Sequence, residues 1–196
     1  MATEAIVRHR LREVVLAAAG EPSEARYEFW VPQSNERADV VVVGAAMAGY
    51  EIKTERDTLK RLPRQAAAYG RLFDRCTAVL AERHLTSAME ILPDWWGVIA
   101  IVTDEEPPTF RSVRLPTPND GVDPETLVRL LWRDEVHAAL CGLGAVPAPR
   151  TGRFRMWEQL LVLLDLESLK AVVRETLLRR EPVRPWVPSP RLAVTT

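Results

Sequence analysis

The sequence predicts an α/β protein: a central mixed β-sheet flanked by helices, with a helical extension at the C-terminal end. Three observations lead there. Short β-branched runs alternate with helical-periodic runs through the first half of the chain. The later strand-like runs are separated by helix-length segments, the spacing of parallel crossover connections. Two long leucine-rich runs of helical period then follow a proline-rich break.

From Thr3, "TEAIVRHRLREVVLAAAG" places Ile6, Val7, Leu11, Val14, Val15 and Ala18 on one stripe and ends at Gly20, which predicts an amphipathic helix. "ARYEFWV" alternates and is rich in aromatic residues, so residues 25–31 read as a strand. "ADVVVVG" and "GYEIKT", joined by a short Ala-rich turn, predict a hairpin with its turn near Ala46. From Asp57 a helix follows, with Leu59, Leu62, Ala66, Tyr69 and Phe73 at helical spacing and Pro63 where a helical turn begins. "CTAVLAE" and "WGVIAIVT" read as buried strands around a helical stretch at residues 84–92. "DEEPPTFRSVRLPTPNDGVDPE" reads as a loop that closes the core. The organisation is then a core over residues 1–115, a helical C-terminal region over 116–181 suited to binding DNA or a partner, and a Pro-rich flexible tail over 182–196.

A chain of 196 residues holds one substantial core. Lys plus Arg (26) nearly balance Asp plus Glu (27), so any nucleic-acid contact must come from a local patch. Cys76 and Cys141 lack metal-site spacing and read as reduced core thiols; His9, His84 and His137 are scattered and read as solvated or core residues. No apolar run reaches membrane-spanning length and no secretory pattern opens the chain, so a cytoplasmic protein without a membrane partner is expected.

Charge inside the hairpin is the chemical signal. A turn near Ala46 sets Asp39 opposite Lys53, and Glu51, two residues from Lys53, shares their face. Two carboxylates, with a backbone carbonyl such as that of Ile52, supply the oxygen ligands that Mg²⁺ takes while keeping waters for a phosphate ester. Lys53 can then position or deprotonate the attacking water, or offset charge on phosphoryl oxygens. The competing reading is an exposed hairpin with a cross-strand salt bridge worth under about 1 kcal/mol.

Asp39 followed by Glu51-Ile52-Lys53 resembles the signature of the PD-(D/E)XK nuclease superfamily, and Gln65-x-x-x-Tyr69 on the next helix is similar to the extra motif of its RecB-like branch. Ala38 stands where the signature has proline, a residue that shapes the start of the strand and ligates nothing. The resemblance covers residues 4–102 and implies a restriction-endonuclease-like core. It implies Asp39 and Glu51 as metal ligands, Lys53 as the catalytic lysine, and Gln65 and Tyr69 beside the metal site. Glu28 is the acid implied as a further ligand, with Glu24 and Glu36 competing, and Glu13 would be the acid of the first helix. The activity implied is a Mg²⁺-dependent deoxyribonuclease, with Mn²⁺ able to substitute, in repair, restriction or mobile-element defence. The alternative is a catalytically silent nuclease-fold protein that binds DNA or a partner.

Seven basic residues lie from Lys53 to Arg75, namely Lys53, Arg56, Lys60, Arg61, Arg64, Arg71 and Arg75. Arg61, Arg64 and Arg71 fall on or near the helix of Gln65 and are expected to track a phosphate backbone, against the alternative of pairing with Glu55, Asp57 and Asp74. Arg150, Arg153 and Arg155, in the connector between the two C-terminal helical runs, are loosely similar to small SAP-like DNA-binding modules; Trp132 and Trp157 are expected in a mini-core. No GxxxxGK[ST] phosphate loop is present, so any coupling to ATP would need a partner in trans, and a homodimer is left open.

Overall fold

A computed structural model describes residues 4–103 and 107–180. Helix α1 (Glu4–Ala19) leads into β1 (Glu24–Trp30), β2 (Arg37–Val43) and β3 (Met47–Lys53), followed by α2 (Leu62–Gly70) and β4 (Arg75–Ala81). A 3-10 turn over Glu82–His84 and α3 (Leu85–Ile91) connect to β5 (Gly97–Val102) and β6 (Thr109–Arg114). Four helices complete the described chain: α4 (Pro124–Val128), α5 (Arg133–Gly142), α6 (Arg153–Leu163) and α7 (Leu166–Arg179).

The six strands form one sheet in chain order. β1, β2 and β3 are antiparallel neighbours; β3, β4 and β5 run parallel through the α2 and α3 crossovers; β6 returns antiparallel to β5. This is the expected α/β architecture, a mixed sheet flanked by helices with a C-terminal helical extension.

Both faces of the central strands are covered, which explains an unbroken "VVVV" in β2. On one face Val7, Leu11 and Val15 of α1 pack on Val40, Val42, Ile52, Val79 and Ile101. On the other, Tyr69 and Phe73 share one cluster with Val41, Leu80, Leu131, Leu140, Leu160 and Val173. The C-terminal helices therefore complete the core of the sheet. Asp74 fastens α7 to it, its carboxylate 3.1 Å from Lys170 Nζ, and Arg26 donates to the carbonyl of Leu177 at 2.6 Å. Gly49 admits the Phe73 ring to the sheet, because a Cβ there would lie 2.5 Å from the ring.

Three local expectations are corrected. Residues 109–114, expected within a loop, form edge strand β6, whose Thr, Phe and Val suit a strand and whose pairing spares β5 an open edge. Each long C-terminal run is two helices. Asp165 caps α7 by accepting from Ser168 N–H at 2.7 Å, and Glu135 reaches back to the Trp132 amide at 2.7 Å to start α5. The helix expected from Asp57 begins only at Leu62, because Asp57 instead accepts from the Thr54 amide at 2.7 Å and holds a turn.

Cys76 is buried as expected, whereas Cys141 is only half-buried. The expected tail lies outside the described residues. Among the described residues, no helix is long and apolar enough to cross a membrane.

Candidate metal and nuclease centre

β2 and β3 bring the expected acids to adjacent positions, in a register different from the one expected. Val40 faces Tyr50 and Val43 faces Met47, which centres the turn on Ala45. Continuing this ladder sets Asp39 against Glu51, so Lys53 is not the partner of Asp39. Glu51 and Lys53, two apart on β3, keep one face whatever the register, whereas Asp39 stands past the last pair of the ladder, where Ala38 and Val40 pack on opposite faces of the sheet.

Glu51 is 1% exposed and its carboxylate collects three donors. Lys53 Nζ and Gln65 Nε2 donate to Oε1, the latter at 2.6 Å, and the Tyr69 hydroxyl donates to Oε2 at 2.5 Å. Gln65 and Tyr69 project from the same face of α2, one turn apart. Tyr69 is held by stacking on Trp96 and by an edge contact with Phe73, with centroids 5.8 and 5.4 Å apart. Burial, then the Glu51 charge, pushes its phenol far above the ordinary range. Gln65 Oε1 is a buried acceptor with no protein donor.

Asp39 Oδ2 accepts from the Ile52 amide at 2.7 Å. Burial, and next the charge of Glu51, push its carboxyl up to about 7, against the opposing pull of the Ile52 amide, Lys53 and Arg8. Glu28 stands across β1 between the pairs Tyr27–Val40 and Phe29–Ala38, which sets it at Asp39. Its φ of 48° is left-handed, a conformation costing a non-glycine residue roughly 1 kcal/mol or more. The pleat reverses there. Tyr27 borders the depression beneath α1, while Phe29 packs against Phe73 on the opposite face.

Arg8 of α1 sits among these acids, its guanidinium 2.8 Å from Glu28, 4.0 Å from Asp39 and hydrogen-bonded to Glu4. Carboxylate oxygens of Glu4, Glu28 and Asp39 all lie within 4.8 Å of one another. Such hard oxygen donors fit Mg²⁺. The grouping contains two expected ligands, Asp39 and Glu28; Glu51 lies outside it, engaged by its three donors. Glu4 takes the place expected of Glu13, which pairs with Arg10 and His9 elsewhere on the helix. Glu24 pairs with Arg26 at 3.0 Å. Glu4 and Arg8 were missed, although they continue the buried Leu11 and Val15 row in helical steps of four and three, which places them over the sheet.

The expected phosphate-contacting arginines divide. Glu36, 1% exposed, accepts from Arg61 at 3.0 Å and Arg64 at 2.5 Å. Burial alone would raise its pKa, but these two hydrogen bonds hold it below the usual carboxylate range. Both arginine side chains remain more than half exposed, at 59% and 69%. Arg71, at the other end of α2, pairs with Asp123 at 2.5 Å and does not join them.

A sequence model of the family described as Bacteriophage P4 protein cII matches residues 3–182, so the chain belongs to that family. No curated protein and no solved structure matches the chain.

Proposed function

We propose that this member of the Bacteriophage P4 protein cII family is a Mg²⁺-dependent deoxyribonuclease, in which Mn²⁺ can substitute. One observation carries the reading: at the carboxyl end of β3, Glu51 is gripped by Lys53, Gln65 and Tyr69, with Asp39 beside it. Carboxyl ends of parallel strands are where open α/β sheets place their ligands. A phage-derived family description fits the mobile-element setting better than housekeeping repair.

In this reading Asp39, Glu28 and Glu4 would hold the cation, with Glu51 and the Ile52 carbonyl as the ligands implied by resemblance. The cation would supply Lewis acidity and an acidified water. Lys53, held by Glu51, orients the attacking water and offsets charge on the phosphoryl oxygens. Gln65 Oε1, lacking a protein donor, accepts from that water. Tyr69 fixes Glu51. Arg61 and Arg64, aimed by Glu36, steer the DNA backbone from the start of α2. The site of action is cytoplasmic DNA, reached by the chain alone, as a homodimer, or with an ATP-driven partner.

A second reading, a nuclease-fold scaffold that binds DNA or a partner without cutting, is favoured by Arg8, whose guanidinium already offsets part of the charge of the acid cluster. Linear, circular and single-stranded DNA incubated in Mg²⁺, Mn²⁺ or EDTA, with Lys53→Ala as control, separates the two. Metal-dependent cutting lost in the variant supports the nuclease. Binding without cutting in any metal supports the scaffold.

A further inference from the structure

We propose that the face formed by the end of α4 and the start of α6 is a binding platform for single-stranded nucleic acid. The proposal stands apart from hydrolysis at β3. Trp157 is 6% exposed and its indole N–H donates to the Leu131 carbonyl at 3.2 Å, so it belongs to the core. Phe154, three residues earlier, is 62% exposed and meets Trp157 edge-on, with centroids 5.2 Å apart and planes at 86°. The Arg129 guanidinium lies 5.8 Å from the Phe154 centroid and 5.3 Å from that of Trp157; Arg153 lies at 5.9 and 4.6 Å.

Charge selects the occupant. Among the described residues Arg129 and Arg153 have no carboxylate in salt-bridge contact, whereas Arg155 nearby pairs with Glu158 at 2.9 Å. Of the two acids bordering the depression beside Phe154, Glu158 is taken by Arg155, which leaves Glu125 against the two guanidinium groups of Arg129 and Arg153. The start of α6 adds to their charge, since Gly152 offers its first-turn amides no side-chain cap. An apolar partner would have to desolvate these guanidinium groups. A nucleobase instead stacks on the open ring and the guanidinium planes, while phosphates take the free donors. In a duplex the base faces are already stacked, so the substrate class is single-stranded.

The test uses the full chain in EDTA, where no cutting intervenes, and labelled oligo-dU and oligo-U of about 16 nucleotides, which differ only in the sugar. Fluorescence anisotropy should show both single strands, or one of them, binding more tightly than a duplex of equal length; which one wins names the sugar. Phe154→Ala, at an exposed position, should keep the wild-type melting temperature and weaken binding roughly 5- to 100-fold. Arg129→Ala with Arg153→Ala should make the dependence of log K on log salt shallower by about 1.4. The inference is overturned if wild type does not bind single strands at low salt, if Phe154→Ala binds unchanged, or if duplex or inorganic polyphosphate competes as well as the single strand. None of these outcomes depends on whether the β3 site cleaves.

Discussion

Asp39→Asn should make the metal-free protein more stable at alkaline pH, and the pH dependence of the gain carries the test. The folded carboxyl titrates at about 7 against an ordinary value of 3.8, displaced by burial and then by Glu51. The sign follows from proton counting. Between these two values the folded state binds more protons than the unfolded state, so wild-type stability falls as pH rises through the window. Each unit is worth about 1.4 kcal/mol, giving a cost of roughly 4 kcal/mol by pH 8 and roughly 1.5 kcal/mol at pH 5. Asn keeps an oxygen to accept from the Ile52 amide and removes the charge, so the variant escapes the cost. Urea unfolding in EDTA at pH 5, 6.5 and 8 reads the difference, which should widen by about 2–3 kcal/mol from the lowest to the highest pH. Parallel curves for wild type and variant would refute the account of Asp39 as a carboxyl crowded by Glu51.

Saturating Mg²⁺ should raise wild-type stability, by about 2.7 kcal/mol at 100 times Kd, and a calorimetric scan of Asp39→Ala should show no such gain. Lys53→Met leaves the Glu51 carboxylate buried without its cation and should cost about 3–5 kcal/mol in denaturant unfolding, whereas Lys53→Met with Glu51→Leu should recover much of it. Gly49→Ala drives a methyl into the Phe73 ring and should cost about 1–3 kcal/mol by the same assay, relieved by Phe73→Leu. Glu36→Gln should flatten the acid limb of the stability curve: the depressed pKa of Glu36 stabilises above about 4.5 and that contribution is lost as pH falls, so wild type and variant should converge below it.

How far the site was legible depended on what each residue's position rests on. Glu51 and Lys53 share a face because strand periodicity holds within β3, while the place of Asp39 could not be read from it, since the pleat reverses between Ala38 and Val40. Gln65 and Tyr69 were singled out by the resemblance, and helical spacing put both on the face that meets Glu51. Glu4, Arg8 and the carboxylate role of Glu36 depend on which helix crosses which strand, information carried by packing between distant segments rather than by local pattern. β6 was hidden because Pro107 and Pro108 before it and Pro116 after it outweigh a six-residue strand in any local reading. The four C-terminal helices were merged because apolar residues continue through both breaks, Leu130–Leu131 and Leu163–Leu164, so the periodicity did not mark them.

In the proposed reading the charges of β3 have a role beyond structure. Glu51 and Lys53 face the same apolar layer as Gly49 and Met47, where a pair of well-packed hydrophobic residues would serve stability as well or better. Burial instead fixes one carboxylate among an ammonium, an amide and a phenol, and it leaves Gln65 Oε1 without a donor. Asp39 carries a related penalty, a carboxyl raised to about 7 first by burial and then by the charge of Glu51, and a cation entering beside it would remove that penalty. Arg8 now occupies part of that role from α1, so the choice between enzyme and scaffold reduces to whether its guanidinium yields to a divalent ion. Arg8→Ala is the change that decides it: the variant should bind Mg²⁺ more tightly than wild type if the two cations compete for the same oxygens, and calorimetric titration showing equal or weaker binding would assign the cluster to Arg8 alone.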